Sequence, residues 1–160
     1  MRTLYLLRHA SAENWAGGRG DHARELTDYG RAQACEAGQA LAEAGIQLIL
    51  SSSASRALQT AEALGLPVPI EASDDLYNCS PDTILDELSA LTDDVGVVAV
   101  VAHAPGIPAL AHELAAGADS VAEALAVIDA HFPPGTLVGL EFDGAWSELS
   151  SARLFTARRG

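Results

Sequence analysis

Two arginines and two histidines follow three short apolar segments of the sequence. Arg8 and His9 come directly after the first segment, Arg56 lies just beyond the second, and His103 comes directly after the third. Guanidinium groups stay protonated near neutral pH and donate paired hydrogen bonds to phosphoryl oxygens. Like charge disfavours the imidazolium form of a histidine between them, which leaves a nitrogen lone pair. These residue types predict a phosphate-binding site with a histidine able to accept the phosphoryl group.

The three apolar segments are typical of strands buried on both faces of a sheet. They are Thr3–Leu7, Leu48–Leu50 and Val95–Ala102. Ligands of open α/β sheets bind beyond the carboxyl ends of the strands, so side chains leaving three central strands should converge. Thr136–Phe142 and Ala152–Ala157 mix apolar and polar residues, which favours later or edge strands.

Helices are predicted between these strands, because small and apolar residues recur there at spacings of three and four. The predicted helices are Thr27–Ala44, Ser55–Leu64, one opening at Ser80–Pro81, Ile107–Ala116 and Ser120–Ala130. This alternation predicts an α/β three-layer sandwich, in which a mostly parallel central sheet carries helices on both faces. A length of 160 residues favours one domain spanning 1–160.

Composition excludes several classes of partner and chemistry. The net charge is −13, which disfavours nucleic acid and anionic membrane surfaces. All nine basic residues are Arg, which excludes Schiff-base chemistry and a P-loop lysine. Val95–Ala102, the longest apolar run, is too short for a membrane helix, so we expect a cytoplasmic protein. Cys35 and Cys79 lack CxxC spacing, and we expect no metal and no cofactor.

Four elements over residues 4 to 106 resemble those of the histidine phosphatase superfamily, also called phosphoglycerate-mutase-like. Leu6–Ala10 resembles its Arg-His-Gly signature, and Leu26–Ala34 its LT-x-x-G-x-x-Q-A element. Ser51–Ala61 matches Ser-x-x-x-x-Arg-Ala-x-Gln-Thr-Ala, and Val101–His103 matches the strand that ends in His. Short length, the Arg-His-Ala variant and the simple helix after Ser80 most resemble SixA-type phosphohistidine phosphatases. The resemblance implies the fold of that superfamily.

The resemblance also implies a role for each of the four cationic or imidazole side chains. His9 would be the nucleophile, Arg8 and Arg56 would bind the phosphoryl group, and His103 would help to stabilise it. The implied reaction has two steps, phosphoryl transfer to His9 and then attack by water, and it needs no metal. We expect His103 to be cationic when phosphate is bound, because a nearby dianion raises the pKa of a histidine.

The sequence departs from the family pattern in two places. Ala10 replaces the usual Gly, which restricts the backbone there and is expected to alter the phosphate pocket slightly. Many relatives also place an acidic residue as general acid; Asp74 and Asp75 are candidates, although we expect a solvated acidic loop. The sequence leaves open whether Arg24 approaches the site. The remaining histidines are expected to be structural or solvent-facing: His22, His112 and His131.

The missing acid bears on the substrate. An ester leaving group needs a proton donor worth about 10²- to 10⁴-fold in rate, whereas a protonated phosphoimidazole leaves as neutral imidazole. The leading hypothesis is therefore a phosphatase acting on phosphohistidine in a protein, such as a phosphotransfer protein. One alternative is a phosphatase of small phosphate esters with an acid from Asp74, Asp75 or Asp82. A non-catalytic phosphate-binding module is the other, and the complete set of Arg and His residues argues against it.

Overall fold

A six-stranded sheet lies at the centre of the protein, described by a computed structural model of residues 1–160. The strands are β1 (Arg2–Arg8), β2 (Leu48–Ser52), β3 (Ile70–Ser73), β4 (Val97–Ala102), β5 (Leu137–Phe142) and β6 (Arg153–Arg158). Their order across the sheet is β3-β2-β4-β1-β5-β6. The first four are parallel, and β5 and β6 extend the sheet in antiparallel fashion. A mostly parallel central sheet is thus confirmed.

Helices cover both faces of this sheet. They are α1 (Asp28–Leu41), α2 (Ser55–Ala63), α3 (Pro81–Ser89), α4 (Gly106–Ala116) and α5 (Ala122–Ala130). Side chains alternate along β1, so Leu4 and Leu6 join the core under α3, α4 and α5, whereas Tyr5 and Leu7 join the core under α1 and α2. This arrangement confirms the three-layer prediction. No helix combines the length and hydropathy that crossing a membrane requires.

The helix ends follow local hydrogen bonding. Thr27 caps α1, its hydroxyl accepting from the backbone N–H three residues later at 3.0 Å. The predicted end at Ala44 was wrong, because α1 stops at Leu41 and a turn leads to Gly45 at φ 72°. Ser80 occupies the N-cap position of α3, yet its hydroxyl makes no capping bond to the backbone.

Two other boundaries differ from expectation. Strand β3 was not predicted because it lies at the sheet edge, where exposed Glu71 and Ala72 interrupt any apolar run. Helix α5 begins at Ala122 rather than Ser120, since the Ser120 hydroxyl accepts a hydrogen bond from the backbone N–H of Leu154 at 3.1 Å. That bond ties the start of α5 to strand β6.

The strand order sets where a ligand can reach the sheet. From β1 the chain passes over to β2 and β3, and then returns through α3 to β4, which lies between β2 and β1. The direction of winding therefore reverses between β1 and β4. In open α/β sheets, crevices for ligands form at such a reversal, beyond the carboxyl ends of the strands.

We predict that Gly38→Ala destabilises the protein by about 1–3 kcal/mol, because overpacking forces backbone shifts of that cost. A Cβ at position 38 of α1 would lie 1.9 Å from the backbone oxygen of Leu64, which follows α2. The free energy of unfolding in urea measures the effect. Gly18→Ala is the matched control, since its Cβ would meet nothing within 4 Å. Equal midpoints for the two variants would contradict the packing argument.

Candidate active site

The site begins where β1 and β4 end side by side. Arg8 pairs with Ala102 in the parallel ladder, so the next residues, His9 and His103, leave the sheet at the same level. The backbone N–H of His9 extends the ladder by donating to the oxygen of Ala102 at 2.9 Å. The two imidazole rings are consequently neighbours, with centroids 5.2 Å apart.

Arg56 reaches the same edge from the first turn of α2. Ser52, the last residue of β2, links this turn to the histidines, since its Oγ accepts from the N–H of Ala54 at 3.2 Å and lies 2.8 Å from His103 Nε2. Arg56 is 5% exposed, and His9 and His103 are 6% exposed. The structure therefore brings the cationic side chain and both imidazoles into one nearly enclosed cluster.

Arg8 is held from the opposite side by the loop before β5. Its Nη1 donates to the backbone oxygen of Phe132 at 2.9 Å. The N–H of Gly135 lies 3.1 Å from the oxygen of Arg8 and 2.9 Å from that of His9. Burial, with the nearby charge of Arg56, lowers the pKa of Arg8. All four residues singled out in the sequence thus meet at the carboxyl edge of the sheet.

The tautomer of His9 is fixed by the main chain. Its Nδ1 lies 2.7 Å from the backbone oxygen of Ala10. A carbonyl oxygen only accepts hydrogen bonds, so Nδ1 carries the proton and Nε2 keeps its lone pair. Burial lowers the pKa of His9 to about 4, and the charges of Arg56 and Arg8 act in the same direction. At neutral pH the ring is therefore an uncharged base with Nε2 available.

Alanine at position 10 fits this path without strain. Its φ lies outside the left-handed region, and its side chain is fully buried with Leu26 and Ala34. Its backbone N–H donates to Thr60 Oγ1 on α2 at 3.0 Å. The restriction expected from replacing Gly therefore has no visible cost in the backbone.

His103 is also uncharged in the protein without substrate. Burial lowers its pKa to about 3, and the charge of Arg56 contributes. The cationic form that we expected applies to the phosphate-bound state, and its formation requires the dianion to offset this burial. The ring nevertheless has a hydrogen-bonding group to offer, since His103 Nδ1 is buried and bonds to nothing within the protein.

Unpartnered buried nitrogen atoms are concentrated at this site. Five side-chain polar atoms of the protein are buried without a hydrogen bond, and four belong to the cluster. These four are Nε of Arg8, Nε of Arg24, Nε of Arg56 and Nδ1 of His103. The three guanidinium Nε atoms are donors, and a buried donor left unpaired costs about 1–3 kcal/mol. An anion with several oxygens, such as a phosphoryl group, is the kind of ligand that would satisfy them.

Two residues that the sequence analysis missed complete the cluster. Asp21 accepts from Arg56 twice, through its backbone oxygen at 2.9 Å from Nη1 and its carboxylate at 3.2 Å from Nη2. The Tyr77 hydroxyl donates to the same carboxylate oxygen. Arg24 Nε lies 3.5 Å from the other one. The hydrogen bond from Tyr77, followed by the charge of Arg56, holds the pKa of Asp21 below its usual range.

The aromatic ring of Tyr77 closes one side of the site. It meets the His103 ring edge-on, with centroids 5.6 Å apart, and the His22 ring at 4.9 Å. His22 Nε2 lies 3.0 Å from Ser53 Oγ, so the loop that carries His22 and Arg24 does approach the site. No local pattern marked Asp21 or Tyr77, because their partners lie 35 and 56 residues away along the chain.

The other candidates lie apart from this cluster. Asp74, Asp75 and Asp82 are exposed, and none forms an ion pair or side-chain hydrogen bond with Arg8 or Arg56. His112 pairs instead with Asp129 on the surface, and His131 is exposed. No group of three His, Cys, Asp or Glu side chains is arranged to hold a metal ion.

Comparison with known proteins assigns the family. A profile of the histidine phosphatase superfamily (branch 1) matches residues 4–84, which include the ends of β1 and β2 and most of the site. The chain belongs to the histidine phosphatase superfamily. The expected family and fold are thereby confirmed, and the protein is a phosphatase of this superfamily.

Solved structures and a curated relative refine the comparison. A protein of Nakamurella multipartitia assigned as the phosphohistidine phosphatase SixA is 36% identical, with a TM-score of 0.87, and the match covers 99% of this chain and 95% of that one. The protein histidine phosphatase SixA complexed with tungstate is 25% identical, with a TM-score of 0.74 and coverage of 98% and 96%. Glucosyl-3-phosphoglycerate phosphatase of Mycolicibacterium vanbaalenii is 46% identical over 67 residues, which are 41% of this chain and 30% of that protein. The similarity to SixA-type members extends over nearly the whole chain.

The buried neutral imidazoles predict how stability depends on pH. The pKa of His9 is about 4 in the folded protein and about 6.5 in an unfolded chain, so unfolding takes up a proton between these values. The free energy of unfolding should therefore fall by about 1.4 kcal/mol per pH unit per histidine as pH drops through this window. His9→Gln should reduce that slope by one histidine's share in urea titrations from pH 6 to 4.5. Parallel curves for the two proteins would contradict the buried neutral state.

Proposed function

We propose that this phosphatase removes the phosphoryl group from phosphohistidine in a protein, through a covalent phosphohistidine on His9. The observation that carries the proposal is the hydrogen bond from His9 Nδ1 to the Ala10 oxygen, which leaves the Nε2 lone pair free. The charges of Arg56 and Arg8 act on this ring, and they supply fixed positive charge to the site. A neutral nucleophile beside two guanidinium groups is the chemistry that phosphoryl transfer requires.

In the first step His9 Nε2 attacks phosphorus in line with the leaving group. A bond forms between Nε2 and phosphorus, while the phosphorus–nitrogen bond of the substrate breaks and its electron pair returns to the substrate imidazole. Arg8 and Arg56 donate to the equatorial oxygens, where negative charge must be stabilised. When the bound dianion makes His103 cationic, both ring nitrogens are donors, and its buried, unpartnered Nδ1 supplies a further hydrogen bond.

In the second step water attacks the phosphoryl group on His9. The proton stays on Nδ1, hydrogen-bonded to the Ala10 oxygen, so the phosphorylated ring is a phosphoimidazolium. The ring therefore leaves phosphorus as neutral imidazole. Water contributes both its hydrogens to the product, dihydrogen phosphate, which then loses a proton to solvent. No metal or cofactor takes part in either step.

The preference for a phosphorus–nitrogen bond rests on the lack of a well-placed acid. Asp74, Asp75 and Asp82 are exposed and away from the arginines, and Asp21 is held ionised by Tyr77 and Arg56. An alkoxide leaving group would receive no proton from any of them. A protonated imidazole needs none. The similarity to SixA proteins over nearly the whole chain supports the same substrate class.

The proposed partner is a phosphotransfer protein that presents its phosphohistidine on an accessible surface. Most of this chain's charge is negative, at −13 overall, so contact should avoid strongly acidic patches on the partner. A second candidate is the hydrolysis of small phosphate esters. It is favoured by the 46% identity over 67 residues to a glucosyl-3-phosphoglycerate phosphatase.

We predict that His9→Ala lowers dephosphorylation of a phosphohistidine protein by at least about 10³-fold, because loss of the nucleophile removes both steps. The assay is run in metal chelator, where the wild type should keep its full rate. Rapid quenching of the wild type should also trap acid-labile, base-stable phosphate on the chain, and His9→Ala should trap none. Equal rates for the two proteins would refute the nucleophile assignment.

We predict that Asp74→Asn, Asp75→Asn and Asp82→Asn each change p-nitrophenyl phosphate and sugar phosphate hydrolysis by less than about twofold. These side chains are exposed and do not contact the arginines, so they cannot deliver a proton to a leaving group there. Steady-state rates on both esters measure this. Loss of sugar phosphate hydrolysis in one variant alone would favour the small-ester candidate instead.

A further inference from the structure

The guanidinium group of Arg56 is bound to Asp21 through one edge, while its Nε has no partner in the protein. Nη1 and Nη2, the end of the fork, both donate to Asp21. Nε, on the side of the fork, is buried and bonds to nothing in the protein. A guanidinium group has two edges able to bind oxygen atoms in pairs, and Nη2 belongs to both. A phosphoryl group can therefore use Nε and Nη2 while Asp21 remains in place.

This arrangement places Asp21 beside any phosphoryl group bound to Arg56. Both would hydrogen-bond to the same nitrogen, Nη2, from different sides. Two acceptors that each lie about 2.9 Å from one nitrogen are about 5 Å apart, so the carboxylate neighbours the phosphoryl oxygens. An imidazole ring attached to that phosphoryl group can therefore extend towards Asp21.

The carboxylate of Asp21 is held in this position from three sides. Arg56 Nη2 and the Tyr77 hydroxyl contact one oxygen, and Arg24 Nε lies 3.5 Å from the other. The side chain is still 52% exposed, so a group entering from solvent can contact it. Tyr77 packs on His103 and against the Arg56 guanidinium, which ties this acceptor to the phosphate-binding residues.

We propose that Asp21 selects phosphohistidine as substrate by accepting a hydrogen bond from the distal ring N–H of the phosphorylated imidazole. The proposal rests on the proposed function and adds the residue that distinguishes the substrate class. Holding that proton on the substrate ring keeps the leaving group in its imidazolium form. The same carboxylate carries no proton to give to an alkoxide, so it works against phosphate esters.

The transfer step then balances without an external acid. The lone pair of His9 Nε2 forms the new bond to phosphorus. The substrate's phosphorus–nitrogen bond breaks, and its electron pair becomes the lone pair of a neutral imidazole. That imidazole keeps its distal proton, which stays hydrogen-bonded to the Asp21 carboxylate. Each imidazole beside phosphorus therefore donates its distal N–H to an oxygen. The acceptor is the Ala10 carbonyl for His9 and the Asp21 carboxylate for the substrate ring.

The test compares wild type with Asp21→Asn on a phosphohistidine protein and on p-nitrophenyl phosphate. The amide keeps an oxygen acceptor for Arg56 and Tyr77 but removes the charge. At pH 8 we expect kcat on phosphohistidine to fall about 10- to 100-fold, the value of a hydrogen bond to a charged group. Near pH 6, where an imidazole protonates without help, the loss should shrink to a few-fold. Because Asp21 also supports Arg56, the readout is the ratio of the two rates: kcat on phosphohistidine should fall at least about tenfold more than kcat on p-nitrophenyl phosphate, since nitrophenolate needs no acid.

Asp93→Asn is the matched control. Asp93 forms an Asp–Arg pair of the same length, 3.2 Å, with Arg2 on the surface. It should change neither substrate's rate. Inhibition by inorganic phosphate should not weaken in Asp21→Asn, because phosphate would use the Nε edge of Arg56 and the substitution removes a negative charge beside it.

The outcomes separate this inference from the proposed function. A pH-dependent loss that is at least about tenfold larger on phosphohistidine than on p-nitrophenyl phosphate supports selection by Asp21. An equal loss on both substrates, with weaker phosphate inhibition, would overturn it and make Asp21 a support for Arg56 only. An unchanged rate on both would also overturn it. If the wild type itself leaves phosphohistidine intact, the proposed function fails, whatever the variant does.

Discussion

The guanidinium groups of Arg8 and Arg56 lie close together at the carboxyl edge of the sheet and repel each other. The surrounding structure has to offset this repulsion. Main-chain oxygens do so in part, since those of Phe132 and Asp21 accept hydrogen bonds from Arg8 and Arg56. One carboxylate balances Arg56, and the histidines remain uncharged. The site therefore carries a net positive charge and several unpaired hydrogen-bond donors, so it is preorganised to bind an anion.

The same constraint explains why the elements are arranged as they are. Parallel pairing of β1 with β4 sets the two imidazoles at one level, and β2 delivers α2 beside them. The loop between β1 and α1 brings Asp21 over Arg56, and the turn after β3 brings Tyr77 against both. The ends of β1 and β4 and the first turn of α2 position the groups proposed to do the chemistry, whereas loops supply Asp21 and Tyr77, which lie against them.

How much of this could be predicted from the sequence follows from that division. Arg8, His9 and His103 leave buried strands directly, so apolar runs and the edge rule were enough to bring them together. Asp21 and Tyr77 lie in loops with no periodic pattern, and their contacts depend on tertiary packing across 35 and 56 residues. Strand β3 was not predicted for a related reason. An edge strand of 4 residues buries too few side chains to produce an apolar run in the sequence.

The acceptor that fixes the proton on His9 belongs to the backbone of residue 10. Every amino acid supplies that carbonyl, so no substitution at this position can delete it. A substitution at position 10 changes the packing against Leu26 and Ala34, whereas the proton on His9 Nδ1 keeps its acceptor. The nucleophile's tautomer is thereby inherited through the path of the chain, which explains how an alanine can stand where the superfamily signature has glycine.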